Sequence, residues 1–145
     1  MDQSTEVALA IEAFYERFSS GDSARFAAGI ADCSGVSVIG SGPGEGHGNR
    51  AEWLEVYAGG IAELGITLRG TAPTGYAEGD LGFGTDTPSF VLPDGSTLPT
   101  RLSAVLRAED GEWKVVHLHF SVGVPDEQAI VSAGGGEEEQ GPAEE

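Results

Sequence analysis

The residues here that could do chemistry are three histidines, one strand-embedded aspartate and a few amphipathic aromatics. His117, His119 and Ser121 follow an Asp110-Gly111 turn in a run that reads as a strand. Strand side chains alternate, so Trp113, Val115, His117, His119 and Ser121 share one face, and Lys114, Val116, Leu118, Phe120 and Val122 the other. Two imidazoles at this spacing suit an acid/base pair or two metal ligands. A metal needs at least one more ligand, and no Asp or Glu is suggested beside them, so no metal is expected. The plainer reading for His117, His119 and Ser121 is a structural one.

His47 sits in Gly40-Ser41-Gly42-Pro43-Gly44-Glu45-Gly46-His47-Gly48, which must be a loop. At a pocket rim it could act on a ligand; the plainer alternative is a solvated loop histidine. Asp86 interrupts the strand-like Gly84-Thr85-Asp86-Thr87, where an acid is unexpected. Facing apolar walls, its pKa would rise toward that of a useful general base. Facing outward it is simply solvated, and the surrounding glycines leave the register open by one residue. Tyr15, Trp53 and Tyr57 could orient an apolar ligand with one polar handle, and core packing explains them equally well. Tyr15 or Tyr57 would donate a hydrogen bond to a developing oxyanion, with Asp86 or His47 as base.

The elements that must position these groups follow from periodicity. Val7, Ile11, Phe14 and Phe18 recur at helical spacing from about Thr5 to Ser20, and Gly21 ends that helix. Asp22 can cap a short helix carrying Phe26 and Ile30. Val36, Val38 and Ile39 read as a short strand. Asn49 with Glu52 resembles a capping box, and Trp53, Tyr57, Ile61 and Leu64 stripe a third helix that Gly65 stops. Strands are then expected at Ile66–Thr71, Leu81–Val91, Thr97–Arg107 and Trp113–Val122, with Asp94-Gly95 and Asp110-Gly111 in tight hairpin turns. Gly79, Gly82 and Gly84 suggest bulges or strong curvature. Helices gathered before a curled antiparallel sheet make an α+β fold.

Length and composition narrow the class. The chain has 145 residues, enough for one domain with a real core, and 39% hydrophobic residues. Its formal net charge of −17 argues against nucleic acid and anionic membranes as partners. Seven of the 24 acids lie from Asp126 onward, so residues 126–145 are expected to be a disordered acidic tail after a domain of residues 1–125. Met1-Asp2-Gln3-Ser4 lacks a secretion-signal layout, and a cytoplasmic location is expected. The single Cys33 reads as a small buried residue. The glycine loop does not fit a nucleotide fingerprint, no Ser/His/Asp elbow is present, and no cofactor is expected.

Helix, short helix, short strand, glycine loop, long helix and meander is an order similar to that of the nuclear transport factor 2-like, or SnoaL-like, superfamily. Ser20-Gly21-Asp22 resembles its usual helix break. Val38-Ile39-Gly40-Ser41-Gly42-Pro43-Gly44-Glu45 resembles its Ile-Gly-Thr-Asp-Pro-type loop, and Asp110-Gly111-Glu112-Trp113 through His117-Leu118-His119-Phe120-Ser121 resembles its Asp-Gly-x-Trp…His-x-His-x-Ser ending. The hub domain of calcium/calmodulin-dependent kinase II has a similar ending. The resemblance implies a cone-shaped half-barrel with a pocket under the helices, and a homodimer through the outer sheet face with His117, His119 and Ser121 in the subunit interface. It also implies that Phe14, Phe18, Trp53, Leu102, Ala104, Leu106, Val116, Leu118 and Phe120 line the pocket. In the hub, arginines stand at the positions matching Phe120 and, by register, Ala104, so an apolar ligand fits better here than an acidic one. The function so implied is binding of a small hydrophobic metabolite, with cofactor-free isomerisation, cyclisation or hydration if catalytic. The alternative is a non-catalytic, hub-like oligomerisation module.

Overall fold

The computed structural model describes residues 1–131, and its helices begin at their capping residues. Helix α1 (Thr5–Ser19) starts after Ser4, whose hydroxyl accepts the Val7 N–H at 3.2 Å. Its buried face is Val7, Ile11, Phe14 and Tyr15. Asp22 caps α2 (Ser23–Ala28), accepting the N–H groups of Ala24 and Arg25. Asn49 caps α3 (Arg50–Gly59), accepting the Glu52 N–H at 2.8 Å. That third helix is shorter than its stripe predicts. Gly59-Gly60 stops it, because each helical glycine costs about 1 kcal/mol relative to alanine, and a 3-10 turn at Ile61–Glu63 carries the chain on.

Across its width the larger sheet runs β1 (Asp2–Gln3), β5 (Thr74–Glu78), β6 (Leu81–Asp86), β9 (Arg101–Glu109), β10 (Glu112–Ser121), β2 (Ser37–Ile39) and β3 (Gly46–His47). Its pairs are antiparallel except β10 with β2. A smaller sheet holds β4 (Thr67–Arg69), β7 (Ser89–Val91) and β8 (Thr97–Pro99). Two expected long strands are each broken, at Thr87-Pro88 and at Thr100. Pro88 has no N–H for the ladder, and both the N–H and hydroxyl of buried Thr100 donate to its carbonyl, at 2.9 and 2.8 Å. The two strands therefore bend together and pass from one sheet into the other. This is the α+β architecture of a curved, unclosed sheet under helices.

Two departures from the sequence reading alter which side chains face inward. A bulge in β10 makes Val116 an extra residue, since Val115 opposes Leu106 while His117 opposes Val105. The bulge reverses the alternation, so Val115 is buried in the core and His117 still faces outward. The glycines of β5 and β6 answer to α1 rather than to a bulge of their own. A Cβ at Gly75 would lie 2.6 Å from the Ala8 backbone N, so the helix rests directly on bare backbone. The segment Thr74–Glu78, not among the expected strands, is a full strand paired with β6. Residues 126–131, expected to open the irregular tail, are helical, and residues 132–145 lie outside the described residues. Among the described residues no helix is long and apolar enough to cross a membrane.

Candidate functional site

A cavity of about 410 Å³ opens between α1, α3, the glycine loop and the smaller sheet. Its aromatic wall comes from Phe14 and Phe18 on α1, Trp53 on α3, Phe90 on β7 and Phe120 on β10. These rings brace one another: Phe14 lies 6.3 Å from Trp53, Phe18 6.0 Å from Phe90 and Phe90 5.1 Å from Phe120, centroid to centroid. Leu64, Leu92 and Leu98 also line the space and are substantially solvent-exposed, so they form an apolar mouth. Leu92 and Leu98 flank the hairpin whose turn is closed by Gly95 at φ 88°.

The polar side of the cavity is one short stretch of chain: Gly40, Ser41, Glu45 and His47. Glu45 folds back over its own loop, and its Oε1 accepts the Gly42 N–H. A side chain at Gly42 would collide with that carboxylate. His47 on β3 is held by α3, with its Nδ1 3.1 Å from Glu52 Oε1. A carboxylate can only accept, so the contact places a proton on Nδ1 and leaves Nε2 as the free ring nitrogen. Glu52 has two uses: its N–H completes the Asn49 cap while its carboxylate orients the imidazole.

Asp86 does not line this cavity. It is 8% exposed, at the end of β6, with both oxygens fully engaged. Oδ2 accepts the Tyr15 hydroxyl at 2.8 Å and the Thr71 N–H at 3.2 Å; Oδ1 accepts the Thr71 hydroxyl at 2.5 Å and the Ala72 N–H at 3.1 Å. Burial pushes its pKa up, but the hydrogen bonds from Thr71, Tyr15 and the Thr87 backbone together outweigh burial and hold it below the ordinary carboxylate value. An acid so stabilised as the anion is a poor proton acceptor. Tyr15, held there by the same bond, has its phenol pKa raised by burial and by the Asp86 charge. Tyr57 also lies outside the cavity. Its ring stacks on Phe26 at 3.9 Å, its hydroxyl donates to the Phe18 carbonyl at 2.7 Å, and burial raises its pKa.

Of the four residues assigned to catalysis from sequence, only His47 therefore borders the cavity, and the structure does not bring it together with Asp86, Tyr15 or Tyr57. Among the expected lining residues, Phe14, Phe18, Trp53 and Phe120 are in place. Leu102, Ala104, Leu106 and Leu118 are instead buried in the core away from the cavity, and Val116 is half-buried at the bulge. Inward-facing on the sheet does not mean cavity-lining, because α1 lies directly over most of the concave face. The lining contributed by Phe90, Leu92 and Leu98 was missed, since it depends on strands that change sheets, and so was that of Ile61 on the 3-10 turn and of Ile66 before β4. A signal for Glu52 was visible in its place three residues after Asn49, but its contact with His47 was not.

The outer sheet face carries His117, His119 and Ser121. His117 Nδ1 lies 2.8 Å from the Ser37 hydroxyl across the parallel β10–β2 pair. His119 is exposed beside Ser103 and Ile39, and Ser121 accepts the Arg101 Nε–H at 3.1 Å. The sequence profile of the SnoaL-like domain matches residues 7–125.

The chain belongs to the SnoaL-like domain family.

Solved structures agree with that placement in the nuclear transport factor 2-like superfamily. A candidate dehydratase of the nuclear transport factor 2-like family from Streptomyces avermitilis is 25% identical, with 82% of this chain and 95% of that chain covered at a TM-score of 0.68. A candidate calcium/calmodulin-dependent protein kinase II association domain from Xanthomonas campestris is 16% identical, with 87% and 96% covered at a TM-score of 0.69. A candidate ketosteroid isomerase from Shewanella frigidimarina is 17% identical, with 81% and 96% covered at a TM-score of 0.65. No curated protein matches the chain. This SnoaL-like domain thus shares its fold with proteins of quite different assigned roles, and the fold alone does not choose among them.

Proposed function

We propose that this SnoaL-like domain binds a small, largely apolar molecule in its cone, and that His47 is the group that moves a proton on it. One observation carries the reading: a cavity of about 410 Å³ with an aromatic wall meets a single imidazole whose orientation is fixed by Glu52. Nε2 would take a proton from a carbon acid or an attacking water, and the Glu52 carboxylate would offset the charge that forms on the ring. The apolar wall keeps competing water out and strengthens that interaction. With Tyr15 and Tyr57 both engaged elsewhere, Ser41 is the hydroxyl left at the rim to donate to a developing oxyanion. The reaction class is cofactor-free isomerisation, cyclisation or hydration, carried out in the cytoplasm. The assigned names of the Streptomyces and Shewanella relatives, dehydratase and ketosteroid isomerase, belong to the same kind of proton chemistry.

The same proposal includes a homodimer through the outer sheet face. Ile39, Phe83 and Val105 are 44%, 39% and 36% exposed there, more apolar surface than a solvated strand face needs. Those residues also favour a second reading, a non-catalytic assembly module like the association domain named for the Xanthomonas relative. Native mass spectrometry of protein purified from cells, paired with size-exclusion chromatography, separates the two. A co-purifying small molecule on a dimer supports the binding and catalytic reading. Empty protein in assemblies larger than a dimer supports the module and removes the first reading. Within the dimer, alanine at His117 and His119 should loosen association and leave ligand binding intact.

A further inference from the structure

The geometry points to a ligand with an apolar body and a basic, hydrogen-bond-donating head, an amine rather than an acid. This inference rests on the cavity being a ligand site and adds the sign of charge that the site selects. Glycine loops beside a helix often bind anions, because their backbone N–H groups converge on the ligand. This loop spends four of those donors on itself. The Gly40 N–H donates to the Glu45 carbonyl, Gly42 N–H to the Glu45 carboxylate, Glu45 N–H to the Gly42 carbonyl and Gly46 N–H to the Gly44 carbonyl. Those four donors are used within the loop.

The side chains at the polar end are mainly acceptors. Glu45 Oε1 has one N–H partner, so the carboxylate keeps free lone pairs, and it is an exposed anion at the cavity's edge. His47, with its proton on Nδ1 toward Glu52, offers the lone pair of Nε2. Ser41 can accept as readily as donate. Among the described residues no lysine or arginine lines the cavity, and all the other lining side chains are apolar apart from the indole N–H of Trp53. A carboxylate or phosphate brought here would meet Glu45 with no cation to offset the repulsion. An ammonium would meet a carboxylate at hydrogen-bond reach while its hydrocarbon part lies against Phe14, Trp53 and Phe120. The negative charge of the whole chain, −17, acts in the same direction at longer range.

The test is calorimetric titration with three probes that share one two-ring body: naphthylmethylamine, naphthylmethanol and naphthoate. The amine should bind about fivefold more tightly than the alcohol, the range of a partly exposed ion pair, and naphthoate most weakly. Glu45→Gln, which keeps an acceptor for Gly42 while removing the charge, should bring amine and alcohol together. Raising salt to about 0.5 M should narrow the same gap without the variant. Naphthoate binding as tightly as the amine, or an amine preference that survives both changes, overturns the inference and leaves the apolar-cavity reading standing. If none of the three binds, both fall.

Discussion

Asp86 and Glu45 are both carboxylates folded onto backbone N–H groups, yet the molecule uses them in opposite ways. Asp86 accepts two donors on each oxygen, which fills the roughly four acceptor sites a carboxylate has. It ties α1, through Tyr15, to the Thr71-Ala72 segment after β4 and to the end of β6. Glu45 has one N–H partner, and its neighbour His47 has one ring nitrogen engaged. Saturated acceptors make a structural joint; unsaturated ones beside a cavity make a site. The strand-end aspartate is thus the weaker catalytic candidate here, and a rim histidine in a glycine loop the stronger.

The contrast can be broken by mutation, most severely at the joint. Asp86→Ala should cost about 3 kcal/mol in urea unfolding, because it strands the buried Tyr15 hydroxyl and removes the acceptor of two part-buried backbone N–H groups. Ligand binding by the remaining folded fraction should be unchanged; loss of binding at full stability would make Asp86 part of the site. His47→Ala should reverse that pattern. If a small molecule co-purifies and is converted, its turnover should fall about 100-fold, the usual scale of general acid–base catalysis, with stability changed by less than about 0.5 kcal/mol. Tyr15→Phe should cost about 1 kcal/mol, since Asp86 keeps its Thr71 and Ala72 donors. Glu52→Gln should be nearly silent in unfolding, because the Asn49 cap uses only the residue's backbone, and should show itself in turnover alone.

The joint also sets the pH limits of stability. Asp86 has a folded pKa below its ordinary value of 3.8, so its contribution is complete above that pH and is lost as pH falls through the lower folded value. Tyr15 has a folded pKa raised above its ordinary value of 10.0, so its contribution is complete below pH 10 and declines as pH rises beyond it. Urea midpoints followed from acid to alkali should fall at both ends, and Tyr15→Phe should flatten the alkaline limb. An alkaline limb unchanged by that variant would mean the phenol is not held as described.

Much of the fold could be read from the chain, and rather less of the site. Capping by Asp22 and Asn49, the α1 stripe, the Asp110-Gly111 turn and the α+β class are local patterns and sit where the sequence puts them. The superfamily was legible in the same local motifs. The lining was only half legible because it is set by events that leave no periodic trace. One is the bulge at Val116. Another is the corner where Thr100 donates to the Pro88 carbonyl, sending Phe90 into the cavity wall and Leu92 and Leu98 to its mouth. Asp86 looked catalytic because sequence shows an acid in a strand and not the four donors waiting for it.

The chain's two tryptophans make the decisive experiment simple. Trp53 is in the cavity wall, while Trp113 lines a separate small cleft beside Arg17 and Lys114. In a nitrogen-15 NMR titration with naphthylmethanol, the Trp53 indole resonance should move with the His47 ring signals while that of Trp113 stays fixed. Movement of Trp113 instead, or of the Tyr15 and Thr71 signals with Trp53 unmoved, would contradict the assignment of the cavity as the working site.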